Sequence, residues 1–278
     1  SLTRLERCLT AWLAERLGLG EGAGGVAASG GSLSNLMALV VARHLAGLQA
    51  RSDALVFCSA DAHVSIGKGL AVMGLPTTAL QAVPVDAEGR LDVEALAAAL
   101  AAAEAIGQPV LAVVATAGTT VRGAVDPIAP IAELCRRHGV WLHVDGAIGA
   151  VFALVPSHAQ RVPDLGFADS LTVNPQKLLG ITKTSSLLLL RRPELLAHGD
   201  KAARLRKAME AELRQRPSDP YACAKLGALL VDQGEKAAGI ALLAAERHGL
   251  AFKEWVLVAP TWRGPFPTMA GRHSRASR

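Results

Sequence analysis

From Ala54 to Leu190 short apolar runs alternate with stretches of helical periodicity, and few architectures accept that order. The runs Ala54 to Cys58, Thr77 to Val85, Val110 to Thr116, Val140 to Val144, Ser170 to Val173 and Ser185 to Leu190 have the length of strands. His63 to Met73, Val93 to Ala103 and Ile128 to His138 separate them with helical spacing. Strands joined through helices call for a mostly parallel sheet covered on both faces. Ahead of this region, Leu2, Leu5, Leu9, Trp12, Leu13 and Leu17 mark an amphipathic helix that stops at Gly18 and Gly20. A glycine-rich loop and a second helix from Ser32 to His44 follow. The expected fold class is therefore α/β, a mostly parallel mixed sheet flanked by helices, over residues 1–196.

Beyond Leu196 the alternation ends. Residues 197–260 read as an all-helical segment, with Leu226, Gly227, Gly234 and Gly239 at the small-residue spacings of a single tetratricopeptide-like hairpin. Residues 261–278, rich in Gly, Pro, Ser and Arg, read as a disordered tail. Charge changes at the same place. Residues 1 to 199 hold 15 Lys+Arg and 16 Asp+Glu, while residues 200 to 278 hold 14 and 8. The basic excess lacks interleaved aromatics, so a solvated helical face is expected and no nucleic-acid partner.

Half of the 278 residues are apolar, which excludes a disordered or collagenous chain. No apolar stretch approaches the roughly 20 residues of a membrane helix, so no membrane association is expected. No secretory leader opens the sequence, and its start at Ser1 suggests a fragment. Cys8, Cys58, Cys135 and Cys223 have no metal-ligand spacing and suit free thiols in a reducing cytoplasm.

Four local features carry chemistry. Ser29-Gly30-Gly31-Ser32 lies between an apolar run and a helix, where backbone N–H groups and the Ser32 hydroxyl form an anion site suited to phosphate. The same residues also suit an ordinary turn with Ser32 as helix N-cap. Asp145 closes the run Trp141-Leu-His-Val-Asp145 at a strand end, where open α/β sheets present functional groups. With His143 on the same strand face it could bind a metal; alone, it could hold a cationic ring nitrogen. Lys177 follows a strand and a proline-fixed turn, a place for either an imine-forming nucleophile or a plain surface lysine. His63 opens a helix, as a capping histidine or as a flat ring for stacking. Together a phosphate cradle, an acid, a lysine and an imidazole are the parts that hold pyridoxal 5′-phosphate.

On these residues the chain resembles the pyridoxal-phosphate-dependent group II amino-acid decarboxylases, which include aromatic-amino-acid, glutamate and diaminobutyrate enzymes. The matching runs are Ala28 to Leu36, Asp61 to Lys68, Ala115 to Thr120 with Gly123 to Pro127, Trp141 to Asp145, and Ala168 to Lys177. They stand in the family's order and cover residues 1 to about 196.

The resemblance implies the large domain of the fold-type I pyridoxal-phosphate enzymes and a carboxy-lyase acting on an amino acid. It implies a cofactor carried as an imine on Lys177, with Asp145 and Ala147 under the ring, His63 stacked on it and Thr120 beside it. Gly31, Ser32, Ser170 and Asn174 would contact the phosphate or its surroundings. Lys177, His63 and Asp145 form the implied catalytic set, and a homodimer the implied assembly. Two alternatives remain beside it: a non-catalytic remnant whose helical segment binds proteins, and a different lyase or aminotransferase reaction on the same cofactor. Three departures stand out. Gln176 replaces the family's usual His before the lysine; a segment ahead of the large domain is missing; and nothing after Leu196 matches the family's catalytic loop or small domain.

Overall fold

A computed structural model describes residues 2–182 and 185–197. The expected helical hairpin and disordered tail lie outside the described residues. Ser1–Leu196 forms one compact unit. Helix α1 spans Leu2–Arg16, strand β1 Gly24–Ala28 and helix α2 Gly31–Leu45. Then come β2 Leu55–Ser59, α3 Ser65–Val72, β3 Leu80–Val83, α4 Val93–Ala105 and β4 Val110–Thr116. Helix α5 Ile128–His138, β5 Trp141–Gly146, β6 Ser170–Val173, α6 Pro175–Leu178 and β7 Ser186–Leu190 complete the unit. Three short 3₁₀ turns lie between β5 and β6, a stretch in which the sequence shows no strand or helix period.

The seven strands form one sheet in the order β1-β7-β6-β5-β4-β2-β3. Neighbours from β3 to β6 run parallel, while β7 is antiparallel to both β6 and β1. The expected mixed, mostly parallel α/β sheet is the fold observed.

Each strand sends alternate side chains to opposite faces, and the two faces differ in character. Leu142 and Val144 of β5, Leu171 and Val173 of β6, and Val113 and Ala115 of β4 join the larger core. That core also takes Leu13 and Leu17 from the first helix region, Leu96 and Leu100 of α4, and Ile131 and Leu134 of α5. On the other face Val56 and Cys58 of β2 and Ala112 and Val114 of β4 pack with Leu39 of α2 and Ile66 and Leu70 of α3. Between these apolar groups, β5 and β6 turn His143, Asp145, Ser170 and Thr172 toward the same side, all four buried. A fully covered parallel strand ordinarily reads as a continuous apolar run, so this polar strip marks where the fold serves something other than packing.

Candidate functional site

The carboxyl ends of β4, β5 and β6 stop beside one another, and the loops after them open into a cavity of about 220 Å³. Gly31, Ser32, His63, Thr120, Asp145, Ala147, Asn174 and Lys177 all line it. Eight of the nine residues expected from sequence thus meet in one place. Asn35, Ser65, Thr116, Gly118 and Ile148, which were not anticipated, complete the wall.

Gly30 is the N-cap of α2, its backbone extended, with no side-chain capping bond. Ser32 is consequently the second helical residue, and the N-cap alternative drawn from sequence does not hold. The N–H groups of Leu33 and Ser34 turn back to the Gly30 carbonyl. Those of Gly31 and Ser32 are left as the free donors that every helix presents at its start, adding to the positive end of a fifteen-residue dipole. A Cβ at Gly31 would lie 2.6 Å from Nδ2 of Asn174, so only glycine lets this turn sit against the end of β6.

Asp145 is the fifth residue of β5 and is 5% exposed. Its Oδ1 accepts the Ala147 N–H at 3.1 Å and its Oδ2 accepts Nδ2 of Asn35 at 2.8 Å. Both carboxyl oxygens are thus tied by N–H donors.

His63 precedes α3 and caps the first N–H of that helix. Its Nδ1 accepts the Ser65 N–H at 3.1 Å, with Ser65 Oγ at 2.8 Å, while the ring lines the cavity. With Nδ1 occupied as an acceptor, the neutral ring carries its proton on Nε2. Lys177 sits in the four-residue α6, where Pro175 is the first helical residue and the Lys177 N–H bonds the Asn174 carbonyl at 3.0 Å. Its side chain is exposed, and among the described residues Nζ has no hydrogen-bond or ion-pair partner.

One expectation needs correction, and one alternative drops out. Ser170 does not line the cavity: it lies at the start of β6, paired in register with His143, three residues or about 10 Å short of the strand end. Its hydroxyl is taken by the Trp141 indole N–H and by Nδ1 of His143, both at 2.9 Å. The His143–Asp145 metal pair also fails, because Nε2 of His143 faces Oδ1 of Asn35 at 3.0 Å and both ring nitrogens are therefore engaged. Gln176, the departure from the family pattern, turns to β7, donating from Nε2 to Ser186 Oγ at 3.0 Å, and is not part of the cavity wall.

Loss of hydration holds the imidazole of the fully buried His143 below its ordinary value, with the Asp145 charge opposing part of the effect. Its native form is neutral. In the unfolded chain the ring gains a proton below about pH 6.5, so there the unfolded state binds more protons than the folded one. Stability should accordingly rise with pH through this window and fall on acidification, with a limiting slope of about 1.4 kcal/mol per pH unit. Thermal unfolding followed from about pH 7.5 to about pH 5 should show that decline, flattened in His143→Gln; an equal slope in the variant would assign the effect elsewhere.

The cavity suits an aromatic phosphate. Free N–H donors stand at α2, an acceptor-only carboxylate stands at β5, and an unpartnered amine stands at α6. Among the described residues, the buried Thr116 Oγ1 and Asn174 Oδ1 have no hydrogen-bond partner, and both residues line the cavity. Unpaired buried polar atoms at one wall are what a polar ligand satisfies. Residues of this chain thus fit pyridoxal 5′-phosphate.

Comparison with known proteins agrees. Residues 1–210 match the model of the pyridoxal-dependent decarboxylase conserved domain. Cysteine sulfinic acid decarboxylase of Rattus norvegicus is 40% identical over 191 residues, covering 65% of this chain and 39% of that protein. L-2,4-diaminobutyrate decarboxylase of Rhizobium meliloti (strain 1021) is 40% identical over 189 residues, covering 68% of this chain and 38% of that protein. Among solved structures, mouse CSAD in apo form superposes with a TM-score of 0.66 at 38% identity, covering 69% of this chain and 42% of that one. The glutamate decarboxylase domain of the diaminobutyrate-pyruvate transaminase and L-2,4-diaminobutyrate decarboxylase from Vibrio parahaemolyticus gives 0.67 at 33% identity, covering 70% and 45%. The chain spans about two fifths of the length of these relatives.

Proposed function

The chain belongs to the pyridoxal-dependent decarboxylase family, and from that premise we propose that it holds pyridoxal 5′-phosphate on Lys177 and releases the α-carboxylate of an amino acid as carbon dioxide. The observation that carries this reading is that Lys177, Asp145, His63 and the open start of α2 border a single cavity. When bound, the cofactor supplies an electron sink for the pair left at Cα as the carboxylate departs.

The protein's part is to hold and to orient. The Gly31 and Ser32 N–H groups take the phosphate at the α2 terminus, with the Asn174 amide as a further polar contact. Asp145 would receive the cationic ring nitrogen, and charge compensation would offset the cost of burying both. His63 would stack on the ring, Thr120 would sit beside it, and Lys177 would hold the cofactor through Nζ at the rim of the cavity that all four line.

The same reading includes a cytoplasmic homodimer. Exposed apolar residues adjoin cavity-lining ones along the chain, namely Val64, Val121, Leu178 and Leu179, and the described thiols Cys8, Cys58 and Cys135 are free. Burial pushes the Cys58 and Cys135 thiols up to about 12, so neither reacts as a thiolate. Sedimentation at monomer mass would remove the homodimer from the proposal.

The amino acid stays general, because the side-chain pocket has no assigned residues. Incubation of the purified chain with pyridoxal phosphate and a panel of amino acids should give an amine and carbon dioxide in equal amounts. Keto acid without carbon dioxide would replace decarboxylation with transamination.

A further inference from the structure

Asn35 lies one turn into α2, is 1% exposed, and uses both ends of its amide. Its Oδ1 accepts the Thr172 hydroxyl at 2.7 Å and Nε2–H of His143 at 3.0 Å. Its Nδ2 donates to Asp145 Oδ2 at 2.8 Å and to Ser65 Oγ at 3.0 Å. We propose that Asn35 is a positioning residue for Asp145, the last link of a buried relay that fixes which atom the carboxylate receives and which way it faces. The proposal deepens the reading of Asp145 as the partner of a ring nitrogen and rests on it.

The direction of the relay follows from donor and acceptor inventory. Asp145 as a carboxylate can only accept, so the Asn35 amide turns its nitrogen to Asp145 and its oxygen to Thr172 and His143. Because that oxygen can only accept, the neutral His143 ring carries its proton on Nε2. Its Nδ1 then accepts from Ser170 Oγ at 2.9 Å, and Ser170 Oγ in turn accepts the Trp141 indole N–H at 2.9 Å. The reverse orientation would set a carbonyl oxygen against a carboxylate oxygen and an N–H against Nε2–H.

Asp145 is tied at both oxygens, to Asn35 and to the Ala147 N–H, and among the described residues no cation pairs with it. Its plane is set before any ligand arrives, and its charge is left for one. A group held in this way avoids reorganisation on binding. Loss of a hydrogen bond to a charged group costs on the scale of about 10- to 100-fold in affinity.

Titration of the 278-residue chain with pyridoxal phosphate, read by absorbance, should give about 10- to 100-fold weaker binding for Asn35→Ala. Asn35→Asp keeps the size and the acceptor for His143 and Thr172 but cannot donate as a carboxylate, and its loss should be at least as large. The second measurement needs no variant and no cofactor. In ¹⁵N-labelled wild-type chain, the His143 resonance, assigned by its loss in His143→Gln, should show a neutral ring protonated at Nε2. A ring protonated at Nδ1 overturns the relay. Wild-type binding matched by Asn35→Ala and Asn35→Asp overturns the positioning role alone. A wild-type chain that takes up no pyridoxal phosphate overturns the proposed function and this inference with it.

Discussion

Lys177→Ala should leave the fold intact and abolish the visible absorbance that pyridoxal phosphate acquires on the wild-type chain, with amine production lower by roughly 10³-fold or more. The two halves of that expectation have separate causes. The lysine side chain is exposed and without a partner among the described residues, while α6 is held by Pro175 and by the Lys177 main-chain N–H to Asn174, both untouched by the substitution. Removing such a side chain usually moves stability by no more than about 0.5 kcal/mol. The chemical loss is large because, among the described residues, no other amine borders the cavity: Lys68 lies on α3, exposed and outside the wall. Unchanged absorbance in the variant would show that attachment occurs elsewhere.

Asp145→Asn is the second large effect. An asparagine there keeps the shape of the side chain, and its oxygen can still accept from the Asn35 amide or the Ala147 N–H. What disappears is the negative charge at the base of the cavity. Breaking a buried charge pair by neutralising one partner costs about 3–5 kcal/mol, or about 10²- to 10⁴-fold. The expected loss is of that size in amine production, with the thermal midpoint retained. Equal turnover by Asp145→Asn would remove Asp145 from the catalytic set. A loss of folding in place of turnover would make it a structural carboxylate, like Asp126, which accepts the Leu91 and Thr116 N–H groups at 2.7 Å each.

The fold was legible because its signals are local. Strands such as Val110–Thr116 and Ser170–Val173 and the helix Ile128–His138 end where the apolar period ends, and Gly139 closes the helix with a left-handed φ of 64°. The site residues were legible for a different reason: strand ends and the turns after them face the same edge of a parallel sheet, so Asp145 and Lys177 meet although 32 positions apart. Ser170 was misplaced because it shares a strand face with that edge, and face alone does not tell how far down the strand a residue sits. The polar members of β5 and β6, His143 and Thr172 among them, stood in strands that a covered sheet would make wholly apolar, and this was the available signal for the buried relay. Asn35 carried none. On α2 it occupies a position that a solvated face would fill equally well, and only the packing of α2 against β5 and β6 shows its amide to be enclosed.

The central claim is that Lys177 holds the cofactor covalently, and peptide mapping tests it most directly. Wild-type chain loaded with pyridoxal phosphate, reduced with borohydride and digested, should carry the added mass on the peptide containing Lys177. Mass confined to a peptide containing Lys68 or another lysine, or no stable label at all, would contradict the account.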